Sequence, residues 1–393
     1  MAMQNWSEYV DLLKSAGNIL ADATAPVDEQ LRADLYRQIS MNLSQAYFLL
    51  MASDPRYPEF VPYLNSGFLL QPNPDSIYYV ASLDGAGTYR VTGERGNAPV
   101  VGFATGNKMF GTDGLKMGKG FGNYDANDLT LDAEGKFSVI FSAERPAGYD
   151  GDWLHLDPQS DFLMLRQFSY DWGREQDARV AIERLDRPAG LKARLSADEV
   201  DARLRRLFAY ARDVSRVALA QIRRTHDGGF VNKMHIHTFQ EMGNGEDWPQ
   251  AYFETVFDIG PDEALVIESA LPEIQTYWNV QVIDGLWNQV DIPYRQSSLN
   301  GHTATIDTDG TFRAVLAHTD PGFLNWLDTG GNLYGMLIGR WYRCSSTPTP
   351  EVRKMKLADV AAYLGTRSAR ATPEAREAQL RQRLIGNQLR RKW

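Results

Sequence analysis

The feature that most constrains the fold is a change of hydrophobic period that occurs twice along the chain. Residues 6 to 51 keep a helical spacing, with Leu31, Leu35, Ile39, Leu43, Tyr47 and Leu50 recurring every three or four positions. Pro55, Pro58 and Pro62 end it, because proline removes an amide donor and clashes with the preceding turn. From about Phe68 the chain becomes short β-branched and aromatic runs, at 88–91, 99–104, 129–131, 137–142 and 162–170, with Glu134-Gly135 as a hairpin turn. Residues 196–224 return to a helix. Ser196 and Glu199 form a capping box, and Val200, Leu204, Leu207, Phe208, Ala211, Val214 and Ala218 share one apolar face. A second β stretch follows, with strands expected at 264–268, 277–283, 303–307, 312–318 and 336–342 and a turn at Asp309-Gly310. A helical pattern from Leu357, interrupted at Pro373, closes the chain.

This order predicts a mainly β protein with helical segments, an α+β fold of two β-sandwich or jelly-roll-like modules joined by a long helix. The expected divisions are a helical segment at 1–66, a first β module at 67–171, a connecting helix at 172–228, a second β module at 229–346 and a helical tail at 347–393.

Composition narrows the function classes. The 393 residues are 43% hydrophobic and 23% charged, an ordinary globular balance. A net charge of −9 argues against nucleic acid, and the one basic cluster, Arg390, Arg391 and Lys392, reads as a solvated tail. A single cysteine, Cys344, excludes an internal disulfide framework and a multi-cysteine zinc site, and suits a reducing compartment. No run approaches the roughly 18 apolar residues of a membrane span. Glu8 and Asp11 in the first helix are unlike a secretory signal, so a cytoplasmic location is expected.

Several catalytic signatures are absent. There is no Gly-x-Ser-x-Gly elbow, dinucleotide fingerprint, kinase set or His-Glu-x-x-His helix. The glycines at 111, 114, 118, 120 and 122 fail as a phosphate loop, since Lys119 precedes Gly120 rather than Ser or Thr. They read as a flexible loop.

Three constellations carry chemistry. His235-Ile-His237 places two imidazoles on one face of a strand, and Glu241 follows as a carboxylate; together they suit a divalent metal. With Gly229 before and Gly243 and Gly245 after, the stretch resembles the first metal motif of the cupins. The second cupin motif is not matched, since His318 precedes Pro321 and Gly322. The second constellation, Gln71-Pro-Asn73-Pro-Asp75-Ser-Ile-Tyr78, is either a turn held by short polar side chains or a substrate loop presenting Asp75 and Tyr78. The third runs through Trp287, Asp291, Tyr294, Arg295, Ser298, Asn300 and His302 to Asn325, Trp326, Asp328 and Arg340. Buried Arg and Asp must pair or line a pocket. An aromatic-walled pocket of this kind suits a hydroxylated or carboxylated small molecule.

The run Asp262 to Glu268, with Tyr277-Trp278, Trp287, Ser298-Leu299-Asn300, Asp320-Pro321-Gly322, Asn325 to Thr329 and Arg340-Trp341, resembles the family called domain of unknown function 1214. Asn73 to Tyr78 with Leu83-Asp84 is similar to the opening motif of its companion, domain of unknown function 1254. The resemblance implies paired β-sandwich modules with intervening helices, and carries over no catalytic residue.

The leading expectation is therefore an enzyme without an organic cofactor, a lyase or hydrolase. Asp75 and Asp328 would be its acid and base, Tyr78 a proton donor, and Arg295 or Arg340 the anion holder. Asn73, Trp287, Tyr294, Asn300, Asn325 and Trp326 would bind substrate. The alternatives are a non-catalytic small-molecule or carbohydrate-binding protein, and a cupin-like metal enzyme resting on His235, His237 and Glu241. A small-molecule ligand is the expected partner; a further alternative is an assembly protein whose aromatic patches are interfaces in a homo-oligomer.

Overall fold

The computed structural model describes residues 3–63, 73–114, 116, 118–242 and 248–390. Gln71, Gly243, Gly245, Arg391 and Lys392 lie outside them. Five α-helices are present among these residues: α1 (Trp6–Asp11), α2 (Glu29–Ala46), α3 (Ala197–Asp227), α4 (Leu357–Leu364) and α5 (Pro373–Leu389). Four sheets make the rest, as two β-rich modules joined by α3.

The modules have the same topology. In the first, a five-stranded inner sheet runs Val61–Tyr63, Ser76–Ser82, Phe162–Phe168, Val100–Gly106, Gly120–Asp125. A four-stranded outer sheet, Asp152–His155, Lys136–Ser142, Tyr89–Glu94, Arg179–Arg184, packs on it. In the second module the inner sheet runs His235–Thr238, Gln250–Asp258, Tyr334–Cys344, Gln275–Asp284, Ser298–Asn300. Its outer sheet is Trp326–Asp328, Phe312–Ala317, Glu263–Ser269, Glu351–Lys356. Strand for strand the order repeats, including one parallel edge pairing in each outer sheet.

Each module is closed by an apolar layer between its sheets. Phe103, Phe141, Leu163 and Leu165 fill the first, and Phe253, Trp278, Leu316 and Trp341 the second. The alternation of strand side chains leaves the opposite faces of the inner sheets to meet each other. There Phe168 of one lies 4.9 Å from the Tyr277 ring of the other, with Tyr342 and Trp248 beside them. Helices α2 and α3 cover the remainder of the second inner sheet through Leu35, Val214, Ile222 and Ile338.

The expected capping box forms: the Ser196 hydroxyl accepts from the Glu199 amide, and the Glu199 carboxylate accepts from the Ser196 amide. Other expectations need correction. The stretch read as helical over 6–51 is in three pieces, and the last begins after Pro26, where Asp28 caps a new start by accepting from the Leu31 amide. On α2 the buried positions include Gln38 and Asn42, whose amides donate to Leu286, Asn288, Ala211 and Ser215. Residues 129–131 and 303–307 are not strands; the Asn325 side chain holds the latter as a loop through Thr305. Arg179–Arg184 and Glu351–Lys356 are sheet edges, although they fall in the stretches read as connecting helix and helical tail. Their charged alternation conceals strands that are solvated on one face. Gly120 and Gly122 lie in a strand rather than a loop.

Candidate functional site

Of the residues expected to act together, the structure joins three. Asn73 and Asp75 enter the strand Ser76–Ser82, and Asn300 ends the last strand of the second inner sheet. Asp75 is 1% exposed and accepts from Tyr277 Oη at 2.6 Å, Trp172 Nε1 at 2.8 Å and Asn300 Nδ2 at 2.9 Å. Burial pushes its pKa up, against the pull of those donors. Asn73 binds Tyr277 and Asn279. Arg390, paired with Asp177, donates to the Asp75 carbonyl. The Asn-Pro-Asp turn thus clamps the first module to the second and to the C-terminal end of the chain.

A cleft of about 540 Å³ lies against this clamp. Its walls are the 170–174 turn of the first module, residues 298–303 of the second and one face of α5. Trp172 and Asn300 line it while donating backwards to Asp75, so the carboxylate fixes the wall without facing the cavity. His302 and Asp171, 3.6 Å apart, are also in its lining. Arg383 of α5 stacks on Trp172 at 4.8 Å and donates to the Ile292 and Ser298 carbonyls and the Ser298 hydroxyl. No carboxylate stands within ion-pair distance of it among the described residues, and burial pushes its pKa down to about 10.

The other candidates are dispersed. Asp328 sits on the edge of the second outer sheet, paired with Arg295 at 3.0 Å and accepting from the Gly330 amide. Asn325 staples Thr305 to the Arg313 carbonyl. Trp326 donates to the Ala317 carbonyl beneath Arg376. Tyr294 is 61% exposed. Trp287, at φ 70°, is buried against Phe110 under the helices. Tyr78 and Arg340 face the layer between the inner sheets.

The two histidines do come together, with a different carboxylate. Glu254 lies directly opposite His235 in the antiparallel register, and ligand atoms of His235, His237 and Glu254 all fall within 4.8 Å of one another. Glu241 instead accepts from the amide and hydroxyl of Thr238 in a local turn. Glu254 is held by Thr225 and Gln221 of α3. Burial and the neighbouring His237 both lower the pKa of His235, favouring its neutral form.

Sequence reasoning missed Trp172, Tyr277, Arg383 and Glu254 as site residues. Tyr170-Asp171-Trp172 is a visible aromatic signal at the end of a strand. Arg383 has none, since it belongs to one of many charged helical turns.

No curated protein matches the chain at a significant level. Among solved structures, an uncharacterized protein from Burkholderia cenocepacia is 28% identical, with a TM-score of 0.81 over 90% of this chain and 97% of that one. The VPA0106 protein from Vibrio parahaemolyticus is 13% identical with a TM-score of 0.45, over 88% of this chain and 100% of that one. The model of the family described as Protein of unknown function (DUF1214) matches two segments of the chain, residues 80–170 and 259–346, one in each β module.

Proposed function

We propose that the protein binds a small carboxylated molecule in the cleft between the two modules and α5. The observation that supports it best is Arg383, a guanidinium with no carboxylate within ion-pair distance among the described residues, in the lining of a 540 Å³ cleft. That volume is in the range of small-molecule sites. Trp172 and Leu299 offer an apolar wall, and Asn300 a polar one fixed from behind by Asp75. The carboxylate of the ligand would take the free donors of Arg383. Any acid/base chemistry in this cleft would fall to His302 and Asp171, because Asp75 is committed to three donors and Asp328 to Arg295. Calorimetry with a panel of aliphatic and aromatic carboxylates tests the reading. Binding that weakens ~30-fold or more in Arg383→Met supports it. No binding across the panel, or binding unchanged in the variant, refutes it.

A second reading rests on one observation. The His235, His237 and Glu254 positions in the second module correspond by register to Val61, Tyr63 and Val80 in the first, an apolar cluster. The scaffold therefore does not require polar groups there. Two imidazoles and a carboxylate suit a divalent transition metal, with Thr225 and Gln221 orienting the carboxylate.

A further inference from the structure

The repeated topology puts an arginine at the same place in both modules. Arg166 lies on the central strand of the first inner sheet, opposite Tyr78 on one side and Gly102 on the other. Arg340 lies on the central strand of the second, opposite Tyr252 and Asn279. Both point into the layer where the two sheets meet. They are 7% and 4% exposed.

Neither has a countercharge. No carboxylate comes within ion-pair distance of either among the described residues. Arg340 donates to the amide oxygens of Asn279 and Gln281. Arg166 stacks between aromatic rings, 4.5 Å from Trp248 and 5.3 Å from Phe239, and its Nη1 has no hydrogen-bond partner. Gly102 permits this stack, since a Cβ there would come within 2.9 Å of the Trp248 ring. Burial lowers the pKa of Arg166, as expected for a charge removed from water without compensation. Phe239 also stacks on Tyr252, 6.4 Å away, and the Arg340 guanidinium lies 5.4 Å from the same Tyr252 ring. The two arginines thus border one aromatic patch from opposite sheets.

A buried guanidinium without a carboxylate partner is costly to fold, and two of them around one patch offer charge-assisted donors that suit an anion. We propose that the layer between the inner sheets is a second ligand site, in which Arg166 and Arg340 together hold the oxyanion group of a small molecule. Tyr252 and Phe239 pack against its body. This site is separate from the α5 cleft and does not depend on ligand binding there.

The test is thermal unfolding of the full-length protein at constant ionic strength with inorganic phosphate, succinate or benzoate, in wild type, in Arg383→Met, which disables the α5 cleft, and in Arg383→Met carrying Arg166→Met or Arg340→Met. Stabilisation by phosphate marks a phosphate-type ligand, and stabilisation by succinate or benzoate a carboxylate. In either case the response that remains in Arg383→Met is lost when Arg166→Met or Arg340→Met is added to it. Without added anion, Arg166→Met melts at or above the wild-type temperature, because no charge pair is broken. The proposal is overturned if no anion stabilises Arg383→Met, or if stabilisation survives in either double variant. A lower melting temperature of anion-free Arg166→Met also overturns it, assigning that arginine to aromatic packing alone.

Discussion

Replacing Asp75 separates a clamp from a catalytic carboxylate. In Asp75→Ala, Tyr277 Oη can turn to Asn73 Oδ1, 3.1 Å away, and Asn300 Nδ2 already reaches the Tyr170 carbonyl at 3.2 Å. Trp172 Nε1 has no such alternative. One orphaned buried donor, at about 1–3 kcal/mol, and the void left by the carboxylate give a loss of about 3 kcal/mol. Asp75→Asn behaves differently, because asparagine reproduces the protonated acid: its oxygen accepts from Trp172 and Asn300 and its amide faces Tyr277. The folded-state pKa of Asp75 is raised above its ordinary 3.8, so the folded state holds the proton more tightly than the unfolded state. Its stabilising contribution is complete below pH 3.8 and is lost as pH rises through the folded value. Asp75→Asn escapes that loss. Urea unfolding between pH 3.5 and 8 should therefore show the variant within about 1 kcal/mol of wild type at the acid end. It should gain on wild type toward neutrality, by about 1.4 kcal/mol for each unit by which burial lifts the pKa. An Asp75→Asn protein that falls further behind wild type as pH rises would refute this account, since it would mean that the donors hold the carboxylate ionised.

Three other outcomes are expected. Gly339→Ala should destabilise by about 3 kcal/mol in urea, because a Cβ there would fall within the Phe253 ring packed across the strand pair. Arg313→Met should lose about 3–5 kcal/mol by the same measurement, as it strips the partner from Asp307, whose side chain is 2% exposed, and from Glu268. Metal analysis of protein exposed to Zn²⁺, Mn²⁺ or Fe²⁺ should find about one equivalent in wild type, much less in Glu254→Gln, and no change in Glu241→Gln; equal metal in all three would remove the second reading.

Much of the architecture is legible in the sequence. The Ser196 and Glu199 cap and the apolar stripe of α3 are local signals, and each takes the expected form; the chain also turns at Gly135 and Gly310, but neither turn joins two strands, because 129–131 and 303–307 are loops. The two β blocks follow from composition and spacing, and family likeness appears in both. Strands with charged, half-solvated faces, such as Arg179–Arg184 and Glu351–Lys356, escaped because their alternation matches that of a polar helix or loop.

The candidate sites divide on the same principle. The Asn73 to Asp75 turn is marked by its own prolines, and His235 and His237 share a face through the two-residue period of a strand. Those facts need only neighbouring residues. That Glu254 rather than Glu241 joins the histidines is fixed by strand register, which pairs residues 19 positions apart. That Asp75 meets Asn300, 225 residues away, and that Arg383 lines the cleft depend on docking one module and α5 against another. Periodicity determines which face a side chain takes. Only the packing of those faces determines what it meets, because the apolar layers that set the register and docking bury residues from every part of the chain.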